Sequence, residues 1–201
     1  MTEAPASPTP HHRPIRPARE RILATAFRLF YAQGIRAVGV DRIIAESGVA
    51  KATFYHHFPA KDDLVIAYLD EVDETWTGQL LAAAEAAGPR PGDQLVGMFD
   101  ALANACRREG YRGCGFINAA AENTPGTPVH DRILAHKDAV RAWVRSLAET
   151  AGAREPDSLA RMLTLLLDGG LASGSVDARP DAPLAAKAAA RSLVDAALTP
   201  A

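Results

Sequence analysis

The chain is poor in cysteine and has no long apolar run. Its 201 residues include two cysteines, Cys106 and Cys114, too few for a secreted fold held together by disulfides. We interpret both as small, partly buried thiols in preference to a redox switch. Their spacing matches no zinc signature and the six histidines do not complete one, so we predict no metal site and no cofactor.

A membrane location is not expected, because no stretch of about 18 uninterrupted apolar residues occurs. The N-terminal region lacks the apolar segment of a secretory signal, and we expect a cytoplasmic protein. Residues 1–15 combine several prolines with almost no apolar side chains, which predicts a flexible N-terminal arm. Over the whole chain, 48% of the residues are apolar, enough to form a folded core.

Charge is distributed unevenly along the sequence. Nine basic and three acidic residues fall between Arg13 and Lys61, a net charge of +6, although the whole chain has 22 basic and 24 acidic residues. The remainder therefore carries a net charge of −8. A basic N-terminal quarter on an acidic body indicates that the first part of the chain binds a polyanion.

Apolar spacing predicts an all-α protein of about nine helices, with no competing strand pattern. The first helix begins at Ala18 and stops at Gly34, and Asp41 is the expected N-cap of the second, residues 42–47. A glycine pair, Gly169–Gly170, marks a potential kink in the eighth helix. The other helices are expected at 50–57, from 61, at 93–108, 116–122 and 129–150, from 156, and at 184–198.

The second and third helices form a helix-turn-helix pattern at about residues 39–58. Gly48 permits the left-handed backbone that the tight turn between them needs. Apolar residues on one side of this pattern can pack on the first helix and leave the polar residues outside. The predicted inner face consists of Ile43, Ile44, Val49, Phe54 and Phe58, packed against Leu23, Phe27 and Phe30.

The polar side of this pattern carries donors suited to nucleic acid. An α-helix fits the major groove of DNA, where its first residues face base edges while the preceding helix crosses the backbone. Free amides at the start of the second helix, and a lysine at the start of the fourth, are expected to bind phosphates. The predicted DNA-binding residues are Val40, Asp41, Arg42, Lys51, Thr53, Tyr55, His56, His57 and Lys61.

Simpler roles for these residues stay open. A helix-turn-helix shape also occurs in plain helical bundles, Asp41 can act only as a cap, and Tyr55 can bury its ring. A metal site at His56 and His57 is disfavoured, because neighbours in sequence point in different directions on a helix.

Residues 18–70 resemble the N-terminal domain of the TetR family of transcriptional regulators. The likeness lies in ERILATAFRLFYAQGIRAVGVDRIIAESGVAKATFYHHFPAKDDLV, especially in the order F-x-x-x-G, VDRIIAESGV and TFYHHFPAKDDL. Residues 113–122, GCGFINAAAE, also look like a segment found in one branch of the family. Ile44 departs from the family pattern, in which alanine is common there, and we expect it to change packing only.

The resemblance implies a DNA-binding domain over residues 16–76 and a regulatory and dimerisation domain over residues 77–201. It also implies a homodimer without enzymatic activity, located at the nucleoid, that represses transcription. A small ligand in the C-terminal domain would release the palindromic operator. Carried over by position, the DNA contacts are Lys51, Thr53, Tyr55, His56 and Lys61.

The last two predicted helices are the expected dimer surface, because the alanine-rich terminal helix is apolar nearly all round. The residues expected there are Leu163, Leu166, Leu167, Leu171, Leu184, Leu193, Val194 and Leu198. The ligand pocket is expected among the fourth to eighth helices, although apolar residues at helical spacing usually just pack. Its candidates are Trp76, Met98, Phe99, Leu102, Cys106, Phe116, Asn118, Glu122, Trp143 and Met162.

Two of these candidates are polar residues in an apolar short helix. Asn118 and Glu122 are suited to orient a ligand, although Glu122 can instead cap a segment or pair with an arginine.

Two other interpretations stay open. One is a TetR-like activator, or a regulator that needs no ligand. The other is a helical enzyme or interaction protein with a basic arm, although no Ser/His/Asp, Cys/His or paired-carboxylate arrangement can be placed together from the sequence. His130, Asp131 and His136 are close in sequence but match no known set of metal ligands.

Overall fold

The computed structural model describes residues 17–177 and 181–199, so the predicted flexible arm, residues 1–15, lies outside the described part. Within those two ranges the chain forms α-helices and no strands, which confirms the all-α prediction. None of the described helices combines the length and apolarity needed to cross a membrane. The helices are α1 (Ala18–Gln33), α2 (Val40–Ser47), α3 (Lys51–His57), α4 (Lys61–Ala86), α5 (Pro91–Gly97), α6 (Phe99–Cys106), α7 (Gly115–Glu122), α8 (Pro128–Thr150), α9 (Pro156–Val176) and α10 (Ala182–Leu198).

The start of α2 differs from the sequence prediction. The helix begins at Val40 and its N-cap is Gly39, which has an extended backbone, so Asp41 is not the N-cap. Asp41 lies in the first turn instead, where a negative charge interacts favourably with the helix dipole.

The helix predicted over residues 93–108 is divided at Met98 into α5 and α6. Gly97, directly before the break, packs so tightly on the end of α4 that a Cβ there would lie 2.3 Å from the Cβ of Ala87. The nine predicted helices are therefore ten helical segments in the described residues.

α4 connects the two predicted domains. Its 26 residues run without interruption through the expected boundary between residues 76 and 77. It packs against α1 and also against α5, α6, α7 and α8. Its contacts with α7 and α8 include residues 68–73, on the N-terminal side of that boundary. The N-terminal helices and the C-terminal bundle therefore share a helix in place of a linker.

The C-terminal bundle is held together by close packing of α9 on α6 and α10. α9 runs through Gly169–Gly170 without a break. A Cβ at Gly170 would lie 2.4 Å from Leu102 Cδ2 and 3.3 Å from the Cβ of Ala186. Gly170 therefore lets α6 and α10 approach α9 closely. The predicted kink at this glycine pair does not anticipate that packing role.

Candidate nucleic-acid interface and effector cavity

The turn between α2 and α3 is built as the sequence predicts. α2 ends at Gly48, which has a left-handed backbone with φ of 64° and ψ of 34°. Its N–H donates to the carbonyl oxygen of Ile44 at 3.1 Å. A side chain would strain this backbone, so glycine is favoured at the turn. Extended backbone at Ala50 then leads into α3.

The inner face of α2 and α3 is buried against α1. Ile43 and Phe54 have no exposed surface and Phe58 is almost fully buried, while Ile44 is partly buried. The rings of Phe54 and Phe58 contact each other, with their centroids 6.1 Å apart. Because these side chains anchor α3, its outer surface is held in a fixed orientation. We refer to α1–α3, residues 18–57, as the reading head.

The polar side chains of α3 lie on its outer surface. The side chain of Lys51 is 68% exposed and Tyr55 is 43% exposed. His56 is exposed, and Thr53 and His57 are partly exposed. In the described part of the chain the Tyr55 hydroxyl has no hydrogen-bond partner, so it is available to an external group. These five residues form one polar surface, as the sequence predicts.

Asp41 and Lys51 bring the start of α2 next to the start of α3. The Lys51 ammonium lies 3.4 Å from Asp41 Oδ1, and both side chains are largely exposed. An exposed pair of this kind contributes little to stability, so the lysine can exchange its partner for a phosphate at small cost. Val40 is partly buried beside them.

Arg42 positions α2 on α1. Its Nε lies 2.8 Å from Glu46 Oε1, and its Nη1 donates to Gln33 Oε1 at 2.6 Å. Arg28 from α1 contacts the other Glu46 oxygen at 2.5 Å. The hydrogen bonds from Arg28 and Arg42 lower the pKa of the Glu46 carboxyl. The Arg42 guanidinium is thus partly engaged within the protein, and its remaining N–H donors and its backbone amide are the groups left for a phosphate.

The ammonium group of Lys61 is already engaged with other groups of the protein. Its ammonium donates to the carbonyl oxygen of Ile35 at 2.6 Å and lies 5.9 Å from the centroid of the Phe30 ring. Burial lowers the pKa of this ammonium, although the nearby Glu122 carboxylate raises it. Two of its three N–H donors remain for other partners. A phosphate contact by Lys61 therefore stays a prediction.

Glu122, at the end of α7, binds the turn that follows α1. Its two carboxylate oxygens accept the backbone N–H groups of Ile35 at 3.1 Å and Arg36 at 2.6 Å. The carboxylate approaches so closely that a Cβ at Gly34 would lie 2.7 Å from Oε1. Glu122 therefore joins the C-terminal bundle to the reading head, and its predicted role in orienting a ligand is corrected.

Tyr31 joins α1 to the loop before α7. Its hydroxyl accepts the backbone N–H of Arg112 at 3.0 Å and donates to the carbonyl oxygen of Gly113 at 3.2 Å. Together with Glu122, this side chain fixes α7 to the reading head at both ends.

A cavity of about 190 Å³ lies between the reading head and the C-terminal bundle. Residues of α1, α4, α6, α7 and α9 and of the loop between α6 and α7 form its wall. Exposed members of the wall, Thr75 and residues 108–110, mark the side that meets solvent. We call this space the effector cavity. Its aromatic wall consists of Phe27, Tyr31, Trp76, Tyr111 and Phe116.

Two of the ten predicted pocket residues, Trp76 and Phe116, line the effector cavity. Met98, Phe99 and Leu102 are buried in the core and none of them belongs to the wall of this cavity, so their predicted pocket role is corrected. Their helical spacing alone does not distinguish a residue of the core from a residue of the cavity wall.

The other candidates also lie outside this cavity. Cys106 borders a separate surface groove, and Met162 is 38% exposed on α9. Asn118 is exposed and donates to the carbonyl oxygen of Arg112 at 2.9 Å. Trp143 is partly buried and packs on the core.

Three aromatic residues of the wall were missed as pocket residues by sequence reasoning. The sequence predicts that Phe27 packs against the inner face of α2 and α3, and it places Tyr31 and Tyr111 in no site. The available signal was the spacing of Phe27 and Tyr31, which places both rings on one face of α1, where their centroids are 6.5 Å apart.

Asp73 joins α4 to α8 behind the cavity wall. Its carboxylate accepts hydrogen bonds from Arg132 at 2.6 Å and Thr77 at 2.9 Å, and lies 2.8 Å from His136 Nδ1. Although burial raises it, these hydrogen bonds hold the pKa of Asp73 below its ordinary value. Burial lowers the pKa of His136, although Asp73 raises it. The His136 ring stacks on Phe116 with centroids 3.8 Å apart, so the cluster supports the wall.

No cluster of three or more histidine, cysteine or acidic side chains with the geometry of a metal site occurs in the described ranges.

Only part of the predicted dimer surface is exposed on the protomer. Four of its predicted residues are buried inside the protomer, so their assignment to the dimer surface is corrected: Leu163, Leu167, Leu171 and Val194. They belong to the face of α9 and α10 that packs on the protomer's own bundle. Leu166, Leu193 and Leu198 are partly buried, and Leu184 is 62% exposed. The outer face of α9 adds Met162, Leu165 and Val176, all exposed.

Comparison with known proteins gives concordant results. The profile of the family described as "Bacterial regulatory proteins, tetR family" matches residues 22–68. A solved TetR-family transcriptional regulator from Streptomyces coelicolor is 36% identical, covering 90% of this chain and 96% of that one, with a TM-score of 0.83.

Two further regulators are similar over shorter segments. The HTH-type transcriptional regulator LmrA of Bacillus subtilis is 45% identical over 58 residues, 28% of this chain and 31% of LmrA. The HTH-type transcriptional regulator TcmR of Streptomyces glaucescens is 30% identical over 129 residues, 61% of this chain and 55% of TcmR. The chain therefore matches less than two thirds of either protein.

Proposed function

The chain belongs to the TetR family of bacterial regulatory proteins, and we propose that it represses transcription as a homodimer bound to a palindromic operator in the cytoplasm. A small molecule in the effector cavity releases the DNA. The observation that carries this proposal is the outer surface of α3, where Lys51 and Tyr55 are exposed above a fully buried Phe54.

The reading head places α3 in the major groove of the operator. Lys51 and Thr53, in the first turn of α3, face base edges, while the Tyr55 hydroxyl donates to a phosphate. His56 and His57 lie beside them at the groove wall. The first amides of α2, at residues 40–42, approach a phosphate of the adjacent backbone.

A dimer brings two reading heads to one operator. The exposed apolar residues Leu165 on α9 and Leu184 on α10 support a two-fold contact between protomers through these helices. Two heads related by a two-fold axis require a roughly palindromic operator, with half-sites about one helical turn or more apart.

Release of DNA follows from the position of the effector cavity. Its wall contains Tyr31, whose hydroxyl holds the loop before α7 to α1. A ligand that fits the cavity better when this loop has shifted stabilises a second orientation of the reading head. The ratio of the ligand's affinities for the two orientations sets the largest factor by which the affinity for operator can fall.

Capture of genomic fragments by the purified protein, followed by sequencing, tests the proposal. We expect recovered fragments to share an inverted repeat, and we expect gel-shift affinity for that repeat to fall steeply with salt as phosphate contacts release counterions. A duplex with both half-sites scrambled is the control. Equal binding to the scrambled duplex would show that the head does not read sequence.

Transcription in vitro from a promoter containing the repeat separates repression from activation. We expect the transcript to decrease as protein is added. An increase would replace the proposed repressor with an activator that uses the same DNA-binding surface.

A further inference from the structure

The effector cavity is suited to a particular class of ligand. We propose that it binds a small uncharged aromatic molecule of one or two fused rings that carries a single hydroxyl or carbonyl group. This inference rests on the proposed function only for its regulatory consequence, because the binding itself is a property of the cavity.

The size of the cavity limits the ligand. Its volume is about 190 Å³. An apolar protein cavity of about 150 Å³ accommodates benzene, so the effector cavity has room for one ring with substituents or for two fused rings.

The wall of the cavity selects aromatic compounds. Five of the twelve aromatic residues of the chain line this one space: Phe27, Tyr31, Trp76, Tyr111 and Phe116. Ring faces and ring edges are therefore both available to an aromatic guest, which gains offset-stacked or edge-to-face contacts beyond simple burial.

Charge in the wall disfavours an ionised ligand. The charged members of the lining are Arg108 and Glu109, which have opposite signs and are both exposed. Burial raises the pKa of the Cys114 thiol and of the Tyr111 hydroxyl, so both stay neutral near pH 7. An ion in the interior of the cavity would lose its hydration without gaining a buried partner of opposite charge.

The polar groups of the wall leave few positions for a ligand hydrogen bond. The Tyr31 hydroxyl is engaged with backbone groups of residues 112 and 113, and the Tyr111 hydroxyl donates to the carbonyl oxygen of Leu171 at 3.0 Å. Gln79 is a partly buried residue of the wall, and its amide group has no hydrogen-bond partner in the described part of the chain. It can donate to or accept from one hydroxyl or carbonyl group.

A smaller neighbouring space is the alternative site for an anion. It has a volume of about 80 Å³, shares Trp76 with the effector cavity, and is bordered by Lys137 and Asp168. Lys137 is paired with Asp168, and Arg141, also in this wall, is paired with Asp138. Arg161 is the remaining basic residue of this wall, so an anion would be held here and not in the effector cavity.

Isothermal titration of the full chain with two matched probes, 2-naphthol and 2-naphthoate, tests the inference. We expect one 2-naphthol to bind per chain, and 2-naphthoate to bind at least about tenfold more weakly. Absence of 2-naphthol binding, or tighter binding of the naphthoate, would overturn the inference.

Three variants locate the bound probe. Ala105→Leu fills the cavity and should abolish 2-naphthol binding, whereas Ala120→Leu, on the exposed side of α7, should leave it unchanged. Gln79→Leu should weaken 2-naphthol about fivefold and leave unsubstituted naphthalene unaffected. This milder change keeps the inference testable if Ala105→Leu fails to fold. Unchanged 2-naphthol affinity in both cavity variants would place the probe elsewhere.

Operator binding, measured in parallel, separates the two proposals. Intact DNA binding without any affinity for 2-naphthol would overturn only the ligand class. Binding of 2-naphthol in the effector cavity without sequence-specific DNA binding would overturn only the proposed function.

Discussion

Glu122 Oε2 accepts the backbone N–H of Arg36 at 2.6 Å, across 86 residues of sequence. This hydrogen bond and its companion to Ile35 satisfy two amides of the turn between α1 and α2 with one carboxylate from α7. A buried or partly buried amide without an acceptor destabilises the fold, so this carboxylate stabilises the turn and its contact with the bundle.

Glu122→Gln should therefore destabilise the protein. The amide keeps one acceptor oxygen but turns an NH₂ group towards the other backbone donor, and we expect a loss of about 1–2 kcal/mol in the free energy of unfolding. Denaturant unfolding at fixed protein concentration measures it, and the amides of Ile35 and Arg36 should exchange hydrogen faster. Glu85→Gln, an exposed change near the end of α4, is the control. Equal stability of both variants would contradict this role for Glu122.

Tyr55→Phe should weaken operator binding about five- to tenfold, because it removes one exposed hydroxyl that has no partner within the described residues. The thermal stability of the Tyr55→Phe variant should stay unchanged, since the ring is retained. Tyr111→Phe is the matched comparison, because that hydroxyl bonds Leu171 and its loss should affect stability instead. Unaltered DNA affinity for Tyr55→Phe would make Tyr55 a packing residue.

Lys51→Ala should lower operator affinity and flatten its dependence on salt. Each phosphate contact contributes a slope of about 0.9 in log affinity against log salt, so the slope should decrease by about that amount per reading head. Lys187→Ala, which removes a lysine paired with Asp100 far from α3, should leave the slope unchanged. Gel shifts at several salt concentrations provide the measurement. The same slope in both variants would place Lys51 away from DNA.

Leu165→Asp should shift the dimer towards monomer. Leu165 is 65% exposed on the outer face of α9, and a carboxylate there would be desolvated in a dimer contact. Leu134→Asp, at a 49% exposed position on α8, introduces the same charge outside the proposed interface. Sedimentation equilibrium distinguishes the two variants. A dimer equally stable in both would mean that α9 does not form the interface.

His136→Asn should reduce the loss of stability in mild acid. Burial lowers the pKa of His136 in the folded chain, so below its ordinary value near 6.5 the unfolded chain binds a proton that the folded chain does not. The stabilisation is present above that pH and is lost as the pH falls, by at most about 1.4 kcal/mol per pH unit.

Unfolding free energies at pH 7.5 and 5.5, compared between the wild-type chain and this variant, measure the effect. The charged groups that face the ring are Asp73, Arg132 and Lys137, and all three remain in the variant. An identical decrease in both proteins would show that another group causes the acid sensitivity.

Local signals in the sequence were sufficient for most of the helices and for the turn and buried face of the reading head, but not for the N-cap of α2. The left-handed turn at Gly48 and the burial of Ile43 and Phe54 depend on residues within one short segment, and the structure confirms them. Apolar spacing continues through the one-residue interruption at Met98, whose backbone stays in the right-handed helical region, so the pattern predicts a single helix there. The tight approach of Gly97 to Ala87 beside this interruption is a tertiary contact, which spacing does not reveal.

The wall of the effector cavity could not be derived from periodicity. An apolar residue at helical spacing has the same pattern whether it belongs only to the core, as Phe99 does, or also to the wall of a cavity, as Phe116 does, and both of these residues are fully buried. The role of Glu122 could not be predicted for a second reason. Its partners lie 86 and 87 residues away and are backbone amides, which every residue except proline carries, so no side-chain pattern indicates them.

α4 is continuous from the cavity wall to the reading head, so a tilt in its middle would move its first residues. Trp76 of the cavity wall lies about 22 Å from the first residue of α4, at a rise of 1.5 Å per residue. A tilt of about 5° at that point would move the start of α4 by about 2 Å, and opposite movements in two protomers would change the distance between α3 helices by up to about 4 Å. That displacement exceeds the spacing of about 3.4 Å between neighbouring base pairs, so a tilt of this size would put the two reading heads of the proposed dimer out of register with DNA.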